Sequence, residues 1–559
     1  NGRQRWAFEP TPEIKEKYGL TDNILWEREN EKLLLKDIDR AFIFNNKTNP
    51  NSADLIYRGQ FSDNGYNEDV NDVFKAFDQG SKYYATLQTD DGNWTGDYGG
   101  PMFLLPGLIF ASNITSTPIS EPYATLIRRY MLNHQREDGG WGLHIEGPST
   151  MLGTTLQYVA LRLMGLSADH PSAQEARIWI LQNGGAEYIP SWGKFYLSLL
   201  GLYEWDGCHT LIPELWLLPK WVPIHPWRYW CHTRMVYLPM SYCYGEKIKI
   251  ASDSVLDEIR SEIYTCPYEI INWKAARNKV CNKDEYTKKN WLLRQVYRLL
   301  NTYERVHLKG LRKKALRFIL SYIEMEDRQT NYINIGPVNK VINSISVWYA
   351  HGESDPAFQK HVDRWMDYLW IAEDGMKMNG YNGSQLWDTA FAAQALLENP
   401  KSEHAINTLK SIYRFVEFTQ IKADPPGTEV FFRHRSKGGW PFSTIEHGWP
   451  ITDCTAEGLK ISLKMHANGI KGTEEVSLER MKWTVETILS FQNNDGGWAS
   501  YEKTRAPKWI EKLNPAEIFG DIMIDYSYVE CSSACVQALS VFASHYPDLF
   551  KNRIKTSID

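Results

Sequence analysis

The chain of 559 residues lacks most features that announce a function early. No stretch reaches the roughly 18 to 20 uninterrupted apolar residues of a spanning helix, so no helical membrane span is expected. The eight cysteines, at 208, 231, 243, 266, 281, 454, 531 and 535, form no Cys-x-x-Cys pair and no short-chain disulfide spacing. Reduced thiols in a cytosol-facing protein are expected. An excess of one charge is also missing. The 62 Lys and Arg against 68 Asp and Glu leave a formal charge of -6, scattered along the chain. That balance argues against nucleic acid as a partner and against a polybasic membrane anchor. The first residues, Asn1 to Trp6, do not read as a signal peptide.

Aromatic rings are what the chain has in quantity. Its 22 Trp and 31 Tyr exceed what a core of this size needs. Part of the excess falls in a repeat. Gln88 to Trp94, Gln135 to Trp141 and Gln492 to Trp498 share the pattern Gln-x-x-x-Gly-x-Trp, and each follows a helix-like segment. Looser relatives occur at Gln182 with Trp192, and at Gln420 with Trp440. Self-similarity of this kind predicts repeated helix–turn–helix units. The Asp-Gly pairs make the turns, Gln is placed to bond a neighbouring helix end, and Trp buries area. Between repeats, helical periodicity dominates and strand-like alternation is rare. The expected fold class is all-α, as packed helical hairpins closed into two α/α barrels. A rough division sets an amino-terminal arm at 1–75, a first helical domain at 76–375, and a second domain at 376–559.

The repeats speak to the fold; the acid–base chemistry concentrates elsewhere. Asp453, Cys454, Thr455, Ala456 and Glu457 follow a turn-like run ending in Trp449 and Pro450. Pro450 disfavours helix just before it, and Thr452 or Asp453 is placed to cap a helix running through Leu459, Ile461 and Leu463. Asp453 and Glu457 then share one face at i, i+4. An acid held between a thiol and a second carboxyl, at a helix end, suits a strong proton donor.

Several further blocks carry a resemblance. They are Trp94-Thr-Gly-Asp-Tyr98-Gly-Gly-Pro, Gly140-Trp141-Gly-Leu-His144, Pro190-Ser-Trp192-Gly-Lys, Trp230-Cys-His232 and Tyr237-Leu-Pro-Met-Ser-Tyr242-Cys-Tyr244. Later come Gly383-Ser-Gln-Leu-Trp387-Asp-Thr-Ala and Asp521-Ile522-Met-Ile-Asp525-Tyr526. With Asp-Cys-Thr-Ala-Glu, these blocks make the chain similar to the oxidosqualene cyclases from Trp6 to about Leu549. That resemblance implies two α/α barrels, the second sharing its walls with the amino-terminal arm. It implies 2,3-oxidosqualene as substrate, and neither cofactor nor metal. In the related bacterial squalene cyclases an Asp-rich motif protonates a plain alkene; Cys454 and Thr455 stand in place of its extra acids.

The resemblance gives Asp453 the role of general acid toward the epoxide. Cys454 and Cys531 would hydrogen-bond its carboxyl, and Glu457 would reload the proton. Thiol donors favour the carboxylate, whereas burial favours the protonated acid the reaction needs; burial is expected to win at rest. The cations that follow need a dry pocket of π faces without nucleophiles. By resemblance those rings are Trp387, Phe442, Tyr98, Trp192, Trp230 and Tyr501. His232 is matched to the final deprotonation, with a tyrosine partner. Tyr237, Ile522 and Thr233 are matched to a channel constriction, where some relatives have Cys at the Thr233 position. Tyr381, His447 and Ile451 resemble the cycloartenol-forming branch more than the lanosterol-forming one. The expected physical basis is the bulk of Ile451 together with a polar pair between Tyr381 and His447.

The apolar run Leu211 to Val222 is too short to span a bilayer. The resemblance implies a monotopic protein on one leaflet, at the endoplasmic reticulum or a lipid droplet, drawing lipid substrate through a channel. It also implies further repeats beyond Asp559, so the second barrel is expected to be incomplete. Three other readings compete. A glycoside-cleaving α/α barrel needs two carboxylates on opposite sides of a bond, and Asp453 and Glu457 share a face. A zinc-dependent prenyl-transfer enzyme needs an Asp, Cys and His ligand set, which the adjacency of Asp453 and Cys454 fits poorly. The third is a non-catalytic helical scaffold that holds lipid without converting it.

Overall fold

The computed structural model describes Arg3 and residues 6–8, 12–18, 42–44 and 72–559, apart from 373, 401 and 472–474. The described residues are all-α, as expected, with two short antiparallel pairs as the named strands among them. The first domain is built around helices that are apolar on every side. Leu104–Ile114 buries nine of its eleven residues and Met151–Leu163 twelve of thirteen, the signature of an inner helix. Leu104–Ile114 packs against Met151–Leu163 on one side and Pro337–His351 on the other. Pro337–His351 in turn packs on Cys231–Glu246. Ser191–Leu199 adjoins the first two of these. Amphipathic helices cover this inner set, among them Pro171–Gln182, Ser254–Ile263 and Pro356–Trp365. Pro356–Trp365 buries only Phe358, His361, Arg364 and Trp365, the single stripe of an outer helix.

The second domain is an arc of three inner helices, Gln385–Leu397, Thr452–Ala467 and Val529–His545, each packed on the next. Glu403–Thr419, Leu478–Phe491 and Lys551–Ile558 back them, and Val73–Thr86 packs on Glu403–Thr419. The hairpin of Leu369–Ala372 and Gly375–Met378 lies at the boundary expected near Met376. Most of the arm at 1–75 lies outside the described residues. Its described strand Trp6–Phe8 pairs with Phe42–Phe44, and Trp6 meets the Trp370 ring edge-on at 5.3 Å. Arg3 donates to Asp367 at 2.8 Å.

The repeats are backbone staples. Gln135 Nε2 donates to the Gly139 carbonyl of its own turn and to Ser172 in the first turn of the next helix, both at 2.8 Å. Gln492 bonds the Gly496 carbonyl of its own turn and the Ser557 carbonyl in the last turn of Lys551–Ile558, both at 2.9 Å. The tryptophan closes the other end. Trp141 Nε1 donates to the Met131 carbonyl at 2.7 Å, Trp498 to Ile488 at 2.8 Å and Trp94 to Tyr84 at 3.0 Å. Each of these carbonyls lies in the last turn of the preceding helix, where the i+4 donor is missing; the Tyr84 carbonyl also accepts from Leu87 N at 3.1 Å. One motif therefore ties the end of one helix to a carbonyl of a neighbouring helix. The turn requires glycine. Gly139 sits at φ 83°, and a β-carbon there would lie 2.8 Å from Glu175 Cβ.

The looser repeats divide. Gln420 and Trp440 make the full staple, to Gly438 at 3.2 Å and to Val416 at 2.8 Å, despite the longer insertion between them. Trp192 instead donates to the Tyr237 hydroxyl at 3.0 Å and belongs to the cavity described below.

Candidate active site

Asp453 lies in the first turn of Thr452–Ala467. The expected side-chain cap is absent: Ile451 occupies the capping position, and the Thr452 hydroxyl is buried without a partner. The loop before the helix is instead tied through its backbone, by Ile451 N to the Trp440 carbonyl at 2.9 Å and Thr452 N to Ser500 at 2.7 Å. Freed from capping in the usual sense, Asp453 accepts from the adjacent Cys454 N–H at 2.7 Å, one of the orphan donors of the helix start.

Burial raises the Asp453 carboxyl above the ordinary carboxylate range. The Cys454 backbone and thiol oppose that shift, and the nearby Glu457 charge adds to it. Burial is thus the largest influence and favours a protonated acid at rest. Cys531, from the neighbouring inner helix, is near enough that the Asp453 charge, after burial, raises its thiol. A third thiol, Cys535, had no sequence signal beyond its i+4 spacing from Cys531. It is wholly buried, with its sulfur 4.0 Å from the Thr452 carbonyl. Glu457 is buried one turn on. It accepts from Gln394 Nε2 at 2.6 Å and pairs with Lys460 at 2.6 Å.

Aromatic rings lead away from the acid. Trp387 stacks near Phe442 at 6.0 Å, Phe442 meets Tyr98 at 5.2 Å, and Tyr381 meets both, at 5.1 and 5.9 Å. Tyr98 and Phe391, the ring beside Trp387, are 41% and 49% exposed. On this side the expected dry enclosure is not formed by the described residues. Beyond Tyr98 and Tyr381 opens a cavity of about 420 Å³, within the range of small-molecule sites. Trp192, Trp230, His232, Thr233, Tyr237 and Ile522 are among its walls, alongside Tyr98 and Tyr381. Phe103 and Phe519 line it too and were not foreseen. Both sit within a few residues of quoted motifs, Phe103 after Pro101 and Phe519 before Asp521, and that proximity was the available signal.

At the polar end of the cavity, His232 Nε2 lies 3.3 Å from the Tyr381 hydroxyl, which also bonds the Tyr501 hydroxyl. The His232 ring packs on Trp230 and Tyr501, each at 4.9 Å. Burial, and then the neighbouring His447, push its pKa down to about 3, so at neutral pH it is a free base. The expected polar pair of Tyr381 with His447 is corrected here. His447 meets Tyr381 only as a ring edge, at 5.6 Å. Its Nε2 is already committed to the Ile335 carbonyl at 3.0 Å. The tyrosine partner of His232 is Tyr381 itself. Ile451 is buried beside the acid.

A second, apolar cavity of about 200 Å³ adjoins the first, and Thr233 and Tyr237 line both. Thr233 donates to the Ile522 carbonyl, and Tyr237 accepts from Trp192, so hydrogen bonds fix both of these shared walls. Leu211, Leu215 and Leu218 line the second cavity, along with Leu293 and Leu300. Leu215 and Leu218 are therefore cavity walls; the outward apolar residues here include Trp221, 77% exposed, and Leu299, 71% exposed. No helix among the described residues is long and apolar enough to cross a membrane.

A family model described as the squalene-hopene cyclase N-terminal domain matches residues 78–374, and one described as the C-terminal domain matches 383–556. An all-helical, two-domain chain with this acid and cavity is thereby of the terpene cyclase class. Its relatives narrow the class. The chain is 51% identical over 477 residues to a cycloartenol synthase of Dictyostelium discoideum, covering 85% of this chain and 67% of the relative. It is 47% identical over 482 residues to a lanosterol synthase of Mus musculus, covering 86% and 66%. An alpha-onocerin synthase of Lycopodium clavatum is 38% identical over 588 aligned positions, covering all of this chain and 74% of the relative. The chain belongs to the oxidosqualene cyclase family. It spans about two thirds of the length of the first two of these relatives.

Proposed function

We propose that the chain cyclises 2,3-oxidosqualene to cycloartenol. The observation that carries this reading is the buried Asp453, raised above the carboxylate range beside two thiols, with an aromatic path from it to a cavity that ends in a neutral histidine. Asp453 protonates the epoxide oxygen as the C–O bond breaks. The adjacent alkene supplies the electrons that close the first ring, and the remaining double bonds follow. Trp387, Phe442 and Tyr98 stabilise the first cations, and Trp192 and Trp230 the later ones, through their π faces. His232, neutral and held by Tyr381, accepts the last proton. Ile451 limits how far the acid and the cation shift relative to each other. In this reading His232, held by Tyr381 beside Tyr501, takes a methyl proton, with closure of a cyclopropane. Glu457 and its partners Gln394 and Lys460 form the route by which Asp453 regains a proton.

The protein acts at the surface of one leaflet, of the endoplasmic reticulum or a lipid droplet. Trp221 and Leu299 face lipid, and substrate passes from the smaller cavity past Thr233 and Tyr237. Aromatic and apolar side chains at a margin suit an interface.

The test is incubation with racemic 2,3-oxidosqualene in detergent, followed by gas chromatography–mass spectrometry. Cycloartenol supports the full reading. Lanosterol keeps the chemistry and overturns the product assignment. Bound but unconverted lipid favours the scaffold reading.

A further inference from the structure

Between the helices Lys309–Gln329 and Pro337–His351 the chain turns through 330–336 with three non-glycine residues in the left-handed region. Asn331 lies at φ 45°, Tyr332 at φ 62° and Asn334 at φ 69°. Such conformations are uncommon without glycine and persist where the surroundings over-determine them. Here the surroundings are a buried polar cluster for which the proposed chemistry has no use.

Lys340 is wholly buried, and its Nζ donates to the Tyr332 carbonyl at 2.6 Å and to His361 Nδ1 at 2.9 Å. His361, also wholly buried, places Nε2 3.0 Å from Oδ2 of Asp327. The other Asp327 oxygen accepts from Asn334 Nδ2 at 2.6 Å and Asn343 Nδ2 at 3.0 Å. Ile335 N donates to Asn339 Oδ1 at 3.1 Å, and the Tyr368 hydroxyl donates to the Ile333 carbonyl at 2.9 Å. The left-handed turn is thus gripped from two helices at once.

The far end of this turn is cavity wall. Ile335 and Gly336 line the larger cavity, and a β-carbon at Gly336 would lie 3.7 Å from Cε1 of His232. The Ile335 carbonyl accepts from His447 Nε2, and an acceptor there dictates that Nε2 carries the proton. The His447 ring edge meets Tyr381, whose hydroxyl reaches His232.

We propose that Asp327, His361 and Lys340 are positioning residues for the cyclisation site. They lock the 331–335 turn, so that the Ile335 carbonyl sets the tautomer and tilt of His447. His447 in turn sets where Tyr381 presents its hydroxyl to His232, and so which proton is lost. This rests on the reading of the cavity as a cyclisation site. Lysine suits the task because its stem reaches back eight residues along the chain to Tyr332, through space that excludes water. A loop carbonyl left there without a donor would be costly, and the turn would relax.

The test is Lys340→Met, which keeps the stem and deletes both donors. Hydrogen–deuterium exchange is read over 331–337 and 445–449, with 485–498 in the second domain as control. Product composition and the split of kcat from KM are read with racemic 2,3-oxidosqualene. Expected are faster exchange in both test segments and not in the control, a changed product ratio, and kcat lower by about ten-fold or more with little change in KM. Unchanged exchange at 445–449 overturns the proposal, as does an unchanged product ratio with faster exchange. If Lys340→Met does not fold, His361→Asn is read in the same way. A parent chain that makes no product sinks the cyclisation reading instead, and exchange alone then decides whether the clamp couples to His447.

Discussion

Tyr381→Phe isolates the hydroxyl that joins the two halves of the polar end. That hydroxyl bonds Tyr501 and lies 3.3 Å from His232 Nε2. Two effects follow, and they are separable. The first is on stability. The Tyr501 side chain is buried at 3% exposure, so its own hydroxyl is left in apolar surroundings. A buried polar group without a partner costs about 1–3 kcal/mol. At roughly 2–4 °C per kcal/mol for domains of 150 to 250 residues, the melting temperature falls by several degrees. The second effect is on the product. His232 loses the bond that orients it, worth about 0.5–1.5 kcal/mol net. If that energy separates cyclopropane closure from the competing proton losses, and 1.36 kcal/mol is a factor of ten, the ratio shifts about 2- to 13-fold toward products with a ring double bond. Differential scanning fluorimetry reads the first effect and gas chromatography–mass spectrometry the second. A variant as fast and as selective as the parent, with the melting shift intact, would refute the assignment of Tyr381 to His232.

Three further outcomes are expected. Because burial raises the Asp453 carboxyl, activity holds while that group is protonated and is lost as pH rises through its raised pKa; Cys454→Ala removes a thiol that favours the carboxylate, so the alkaline limb of the pH–rate profile moves up and the plateau rate falls. Ile451→Val loosens the buried residue beside the acid, and its product mixture should contain lanosterol-type compounds that the parent lacks; an identical chromatogram refutes the steric account. Replacing Trp221 and Leu299 together by Glu should release the protein from phospholipid vesicles in a flotation assay with unchanged circular dichroism, and full retention counts against the leaflet-facing assignment.

What the sequence reveals here follows the range of each interaction. The staples were legible because their turn is local: Gln135 to the Gly139 carbonyl and Trp141 to the Met131 carbonyl close within about ten residues, whereas the reach of Gln135 to Ser172 leaves no mark in the pattern. The acid was legible too, since Asp453 and Cys454 are adjacent and a helix start follows Pro450. Local rules failed where a long-range bond took precedence. Thr452 reads as a cap, yet the loop is tied through Trp440 and Ser500, and its hydroxyl is left over. Tyr381 and His447 do lie face to edge, but Ile335, over a hundred residues earlier, claims the histidine nitrogen. The burial of Lys340 has no counterpart in pattern, because a lysine on a periodic helix reads as solvated until its partners are placed. Gln182 with Trp192 looked like a degenerate staple, and tertiary structure gave the tryptophan to Tyr237.

The proposed substrate route past Thr233 and Tyr237, which line both cavities, has a kinetic consequence. A linear polyene is thin and pliant and can thread past Thr233 and Tyr237 in many conformations. A fused-ring product is a rigid plate with almost none, so the same doorway is asymmetric in time. Departure then requires the bond of Thr233 to Ile522 or that of Tyr237 to Trp192 to open, whereas arrival does not. Turnover would be clocked by the door and not by the carbocation, and a single turnover would outpace every one that follows it.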